Sequence, residues 1–135
     1  MFINWMLNEI HLKIVYYGPG LSGKTENLNY IYSHIDPSLK GDLVSLKTSE
    51  DRTIFFDFLQ LGIGSIDGKK PKFNLYTVPG QVHYDRSRKI VLEGVDGIVF
   101  VADSQKEMMN ANLDTLLDLE KHLLEDDKSL EHFRF

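Results

Sequence analysis

The sequence predicts an α/β domain, a mostly parallel sheet with one antiparallel edge strand and helices on both faces. Three observations carry this. Short runs of apolar, β-branched and aromatic residues alternate along the chain with segments of helical spacing. The first clear strand, Leu12-Lys13-Ile14-Val15-Tyr16-Tyr17, runs straight into a glycine-rich loop that opens a helix. Ile98-Val99-Phe100-Val101-Ala102 is apolar without interruption, the pattern of a central parallel strand covered on both faces.

Each element has a local cause. Phe2 to Leu7 reads as an extra edge strand or an apolar arm. The first helix spans roughly Gly23 to His34, with Leu28, Ile31 and Tyr32 at helical spacing, and Asp36-Pro37 stops it. Leu43-Val44-Ser45-Leu46 is a short strand. From Ile54 the chain alternates, Ile54, Phe56 and Phe58 on one face and Phe55, Leu59 and Leu61 on the other, so this strand is apolar on both sides. Asp67-Gly68-Lys69-Lys70 makes a hairpin turn, and Phe73 to Val78 returns antiparallel. A charged helix from about Tyr84 to Leu92 ends near Gly94. After the apolar strand, Asp103 or Ser104 is expected to cap a long helix with a core stripe of Met109, Leu113, Leu116, Leu117, Leu123 and Leu124.

Composition sets the bounds. The 135 residues suffice for one domain, residues 1–135, with 42% hydrophobic and 26% charged residues, as in soluble globular proteins. A net charge of −5 disfavours an electrostatic grip on nucleic acid or an anionic membrane. No apolar run approaches a membrane span, and Met1 to Leu7 lacks the basic leader of a signal peptide. There is no cysteine, which removes disulfides and thiolate-held metals. The expectation is a soluble, cytoplasmic protein. Its five histidines show no metal-ligand spacing.

The loop is Gly18-Pro19-Gly20-Leu21-Ser22-Gly23-Lys24-Thr25, matching G-x-x-x-x-G-K-[ST] between a strand and a helix. A triphosphate needs many backbone N–H donors at close range, and Gly18, Gly20 and Gly23 leave no Cβ in the way. The helix opening at Lys24-Thr25 aims its N-terminal dipole at the phosphates. Lys24 would reach the β- and γ-phosphates, and the Thr25 hydroxyl would ligate Mg²⁺. Two further segments could sense the γ-phosphate. At Arg52-Thr53, a hydroxyl could complete the Mg²⁺ shell and a guanidinium could stabilise charge developing on the transferring phosphoryl group. At Thr77-Val78-Pro79-Gly80-Gln81, the bare backbone of Gly80 could approach the γ-phosphate and Gln81 could orient an attacking water.

Four motifs together carry a family resemblance. They are Tyr16 to Thr25, then Asp51-Arg52-Thr53 leading into Phe55-Phe56-Asp57-Phe58-Leu59, then Tyr76 to Gln81, then Gly94-Val95-Asp96-Gly97 before Phe100-Val101-Ala102-Asp103-Ser104. In this order the chain resembles the bacterial Ras-like GTPases of the gliding-motility and cell-polarity type, the MglA family. The resemblance implies a Ras-like phosphate-loop fold whose last strands are missing. It also implies a Mg²⁺-dependent switch that hydrolyses GTP to GDP to control polarity or gliding motility, slowly without an activating partner. Carried over by motif, Gly18, Pro19, Gly20, Leu21, Ser22, Gly23, Lys24, Thr25, Thr53 and Gly80 bind nucleotide. Thr25 and Thr53 hold the metal, Gln81 positions the water, and Arg52 is an intrinsic arginine finger. The implied partners are a roadblock-fold, MglB-like activating homodimer and polarity or motility effectors, with no nucleic acid and no direct membrane insertion; recruitment to a cell pole is implied too. The resemblance also places Thr77 where eukaryotic Ras-like proteins carry a metal-facing aspartate.

Three departures stand out. The guanine-reading Asn-Lys-x-Asp motif is absent, and the chain stops at Phe133-Arg134-Phe135, where its strand is expected to begin. Glu26 follows Thr25 where a small hydroxyl residue is usual, and His83 sits near the expected water site where an aromatic is common. Two competing readings remain: a non-catalytic interaction module with weak base selectivity, and an ATP-using kinase or ATPase. The latter wants a metal-binding aspartate at the end of a core strand, for which Asp103 is the candidate.

Overall fold

The computed structural model describes residues 1–47, 55–78 and 85–133. β1 (Phe2–Asn4) and β2 (Glu9–Tyr17) form an antiparallel hairpin that pairs Phe2 with His11 and Asn4 with Glu9. Asn8 closes it with a left-handed φ of 55°, a conformation that a short polar side chain tolerates. α1 (Lys24–His34) stops at Ile35, just before Pro37. The Asp36 carboxylate then accepts from the Ser38 N–H at 2.9 Å and caps a short 3-10 turn, Pro37–Leu39. β3 (Val44–Lys47), β4 (Phe55–Gly62), β5 (Lys70–Thr77), α2 (Asp85–Leu92), β6 (Gly97–Phe100) and α3 (Met109–Glu125) follow. Between β4 and β5, Asp67 and Gly68 take φ of 48° and 76°. Two successive left-handed residues give the turn that matches strand twist, as the Asp-Gly pair predicts.

β2 lies at the centre and runs parallel to β5 on one side and β6 on the other. β4 is antiparallel to β5, and β3 is antiparallel to β4. The parallel core is as expected, but the antiparallel portion is larger than one edge strand. β4 is flanked on its outer side by β3, and β1 adds a second reversed strand beside the start of β2. Local alternation shows that a segment is a strand. It does not show which distant segment supplies its hydrogen bonds.

Helices cover both faces. On one, α1 sets Leu28 against Tyr16, Leu59, Leu61 and Leu75. On the other, α2 and α3 bury Val91, Leu92, Leu119 and Leu123 against Val15, Tyr17, Val78 and Ile98. The expected α3 stripe is only partly core. Leu123 is buried and Leu116 packs against the cluster, whereas Met109, Leu113, Leu117 and Leu124 are exposed. Helical spacing identifies residues that share a face but not what lies opposite it. Among the described residues β6 pairs with β2 alone, so the far side of β6 offers α3 no further strand to cover.

The start of α3 also differs from expectation. Neither Asp103 nor Ser104 caps it, because a 3-10 turn, Lys106–Met108, intervenes. Asp103 is held instead by Asn112, whose side chain accepts from the Asp103 N–H and donates to its C=O, both at 2.8 Å. No helix among the described residues is long and apolar enough to cross a membrane.

Candidate nucleotide and metal site

β2, β5 and β6 are parallel, so their carboxyl ends lie along one side of the sheet. The chain leaves β2 for α1 on one face and leaves β6 for α3 on the other. A crevice forms where connections diverge in this way, and it is the usual ligand position in open α/β sheets. Gly18 to Thr25 occupies it.

The loop is built around close backbone approach. A Cβ on Gly18 would lie 2.1 Å from the Val101 carbonyl oxygen, so only glycine fits beside the end of β6. Gly23 caps α1 with φ 104°, and it offers the first turn no side-chain acceptor. The N–H groups at that turn are thus left for an external anion. Ser22 Oγ is buried without a hydrogen-bond partner, and Leu21 is fully exposed with a left-handed φ of 63°.

Lys24 is buried in the loop's interior. Its Nζ donates to the carbonyl oxygens of Gly18 at 2.9 Å and Pro19 at 2.7 Å. Burial, with a smaller contribution from the Arg88 charge, lowers its pKa to about 8. The ammonium is therefore poorly compensated, and a phosphate would offer it a full counter-charge in place of two carbonyl dipoles. Uncapped helix, orphaned hydroxyl and under-compensated lysine all fit a phosphate group.

Beside the loop lies a second cluster. Thr25 is exposed at the start of α1, and its Oγ1 donates to Asp57 Oδ2 at 2.6 Å. Asp57 comes from β4, is 3% exposed, and faces α1 because it shares strand parity with Leu59 and Leu61. Ser45 on β3 donates to Asp57 Oδ1 at 2.6 Å. The Thr77 hydroxyl, at the end of β5, donates to Asp57 Oδ2 at 3.0 Å and accepts from the Asp57 N–H at 2.9 Å. Sequence reasoning passed over Asp57 as part of a phenylalanine-rich strand. The available signal was a carboxylate interrupting an otherwise apolar, inward-facing row.

Among the described residues no group of three or more histidines and carboxylates could hold a metal. A divalent ion here would rest on hydroxyls, phosphate oxygens and single carboxylates, the hard oxygen ligands that Mg²⁺ takes. The sequence-derived residues Gly18 to Thr25 are thus brought together, with Thr77 close by. Arg52, Thr53, Gly80 and Gln81 lie outside the described residues, as does His83. Glu26 is exposed in the first turn of α1, where its charge suits the helix dipole. Asp103 bonds the Gln105 N–H at 3.0 Å within its own loop, whereas the carboxylate that meets Thr25 is Asp57.

No family model matches the chain. Mutual gliding-motility protein MglA of Myxococcus xanthus (strain DK1622) is 60% identical over 124 residues, 92% of this chain. The chain belongs to the MglA family. It spans 64% of the length of that curated relative. Membership accords with a Ras-like phosphate-loop fold, parallel at its core and covered by helices on both faces.

Proposed function

We propose that this chain carries the phosphate- and metal-binding part of a small GTPase switch acting in gliding motility or cell polarity. It would bind GTP and GDP with Mg²⁺ and hydrolyse GTP to GDP and phosphate. The observation that carries the reading is the state of the loop. Lys24 is buried on its own loop carbonyls beside an uncapped helix start, an arrangement that a phosphate would complete. The relative named for gliding motility supports the biological setting.

In the proposed cycle, Gly18 to Lys24 cradle the phosphates and Thr25 and Thr53 hold Mg²⁺. Gln81 orients the attacking water, and Arg52 stabilises charge on the transferring group. Hydrolysis is slow until a partner orders Arg52 and Gln81. That partner is proposed to be a roadblock-fold homodimer, with motility or polarity effectors reading the triphosphate state of a cytoplasmic protein recruited to a pole.

The test is a titration of the chain with fluorescent GDP in Mg²⁺, competed by unlabelled GTP and by ATP. Displacement by GTP and not by ATP is expected. Equal displacement by both would favour a phosphate-binding module without base selectivity, and absence of binding would overturn the nucleotide reading.

A further inference from the structure

We propose that the paired turns at the amino ends of the strands form a peripheral membrane contact. Trp5, Met6 and Leu7 enter the headgroup layer of an anionic bilayer, and Lys69, Lys70 and Lys72 meet its lipid phosphates. Nothing in this depends on the nucleotide reading, and it departs from the resemblance, which implied no direct membrane insertion.

Trp5, Met6 and Leu7 follow one another in the turn between β1 and β2 and are 75%, 97% and 61% exposed. Turns are ordinarily polar, and three consecutive exposed apolar residues in one are a liability unless they bind something. Met1 and Phe2 on the same hairpin are exposed too and widen the apolar surface. A projecting tip has no walls to close over a small molecule, whose sites are concave. A groove on another protein or a fluid bilayer would receive it, and charge decides between the two.

The turn between β4 and β5 lies alongside. Asn8 Nδ2 donates to the Gly68 carbonyl at 3.0 Å, and the Lys70 N–H donates to the Asn8 carbonyl at 2.9 Å, which ties the two tips together. Lys69 Nζ stands over the Trp5 ring, 5.0 Å from its centre, and Lys70 and Lys72 follow on β5. Among the described residues none of the three lysines forms an ion pair. The acids at this end are Asp67, in the turn, and Glu9, which already bonds His11 Nε2 at 3.0 Å. A chain of net charge −5 therefore keeps an excess of lysine beside its apolar tip. Lysine is depleted where proteins bury surface against each other. Beside tryptophan and leucine it is the usual composition of membrane-surface anchors, whose apolar part enters while the ammonium stays with the phosphates.

β2 runs nine residues from Glu9 to Tyr17, so the tip stands about 25 Å from the phosphate loop, at the opposite end of the strand. A chain seated through the tip holds its crevice away from the bilayer, open to ligands and partners. The whole-chain charge opposes long-range attraction, so the contact is short-ranged, and three side chains make a reversible anchor.

Trp5 is the chain's only tryptophan, so its fluorescence reports on the tip alone. The 135-residue chain is mixed with vesicles of phosphatidylcholine, or of phosphatidylcholine with phosphatidylglycerol. With the anionic vesicles the emission should move to shorter wavelength, and lipids brominated high on the acyl chain should quench it. Neutral vesicles should bind about tenfold or more weakly, since each lysine at an anionic surface is worth about fivefold. Lys69→Gln should lose about fivefold on anionic vesicles and nothing on neutral ones. Met6→Ser combined with Leu7→Ser should weaken binding about tenfold for each side chain and leave thermal unfolding in place, because both residues are exposed. Absence of both shift and quenching with anionic vesicles overturns the proposal. So does equal binding to the two vesicle types, or wild-type binding by the double variant. Sedimentation without lipid tests the other occupant: a dimer that the double variant dissociates would give the tip to a second copy of the chain, and overturns the proposal as well.

Discussion

Tyr17, the last residue of β2, donates its hydroxyl hydrogen to the carboxylate of Asp118 on α3. Asp118 Oδ2, which takes that hydrogen, also accepts from Arg88 Nε on α2 at 2.9 Å, and His122 Nε2 lies 3.5 Å from Asp118 Oδ1. One carboxylate therefore ties three elements together directly beneath the phosphate loop. Burial, reinforced by the hydrogen bond to Asp118, pushes the Tyr17 pKa far above its ordinary value, so this hydroxyl stays a donor at any physiological pH.

Asp118→Ala should cost about 3 kcal/mol or more, because it removes the carboxylate that both the largely buried Arg88 and the Tyr17 hydroxyl bond. Tyr17→Phe should cost about 1.5–3 kcal/mol, the range for a hydrogen bond to a charged group. Urea denaturation of both variants and the double mutant checks this. The two losses should be strongly non-additive, since both act on one oxygen.

Lys24 predicts a pH dependence of stability. Its pKa is about 8 in the folded chain against 10.5 for the ordinary side chain. Between these values the unfolded state binds more protons, so this group makes the nucleotide-free protein more stable as pH rises from 8 toward 10.5. Tyr17 works in the opposite sense above pH 10, where its unfolded form begins to ionise. Thermal melts between pH 7.5 and 9.5 should show a rise that Lys24→Met removes. Bound nucleotide should flatten it too, because phosphate restores the lysine's charge. A rise of equal size in Lys24→Met would assign the effect elsewhere.

The loop glycines should fail for different reasons. Gly18→Ala drives a Cβ against the Val101 carbonyl, a backbone atom with little freedom to move. Such overpacking costs about 1–3 kcal/mol and should shift the loop enough to abolish phosphate binding. At Gly23 nothing lies within 4 Å of an added Cβ, so Gly23→Ala meets only backbone strain, from φ 104°. The expected cost is about 1–2 kcal/mol. Thermal unfolding with and without GDP separates the two. Both should melt early, and Gly23→Ala should keep the larger share of ligand-induced stabilisation.

Two predictions concern residues outside the described segments. Arg52→Ala should leave nucleotide affinity intact and abolish partner-stimulated hydrolysis, by roughly 10³- to 10⁵-fold if it acts as an arginine finger. Equal loss of binding would refute the finger. Gln81→Leu should hold the protein in its triphosphate state. Unchanged single-turnover hydrolysis in that variant would remove Gln81 from the mechanism.

By itself the sequence determined what depends on neighbours within a few residues. The phosphate loop is of this kind, since a strand, three glycines and a helix start lie within one short stretch whose backbone needs are local. So are the Asp67-Gly68 turn, the halt of α1 before Pro37, and the alternation of β4. The tertiary structure decided the rest. Asp57 and Thr25 are 32 residues apart and Tyr17 and Asp118 are 101 apart, so neither pair leaves a trace in local pattern. Likewise the spacing of α3 marked an apolar stripe, but burial is a relation between two surfaces. Met109, Leu113, Leu117 and Leu124 are exposed because of what stands opposite them, which no helix encodes in its own residues.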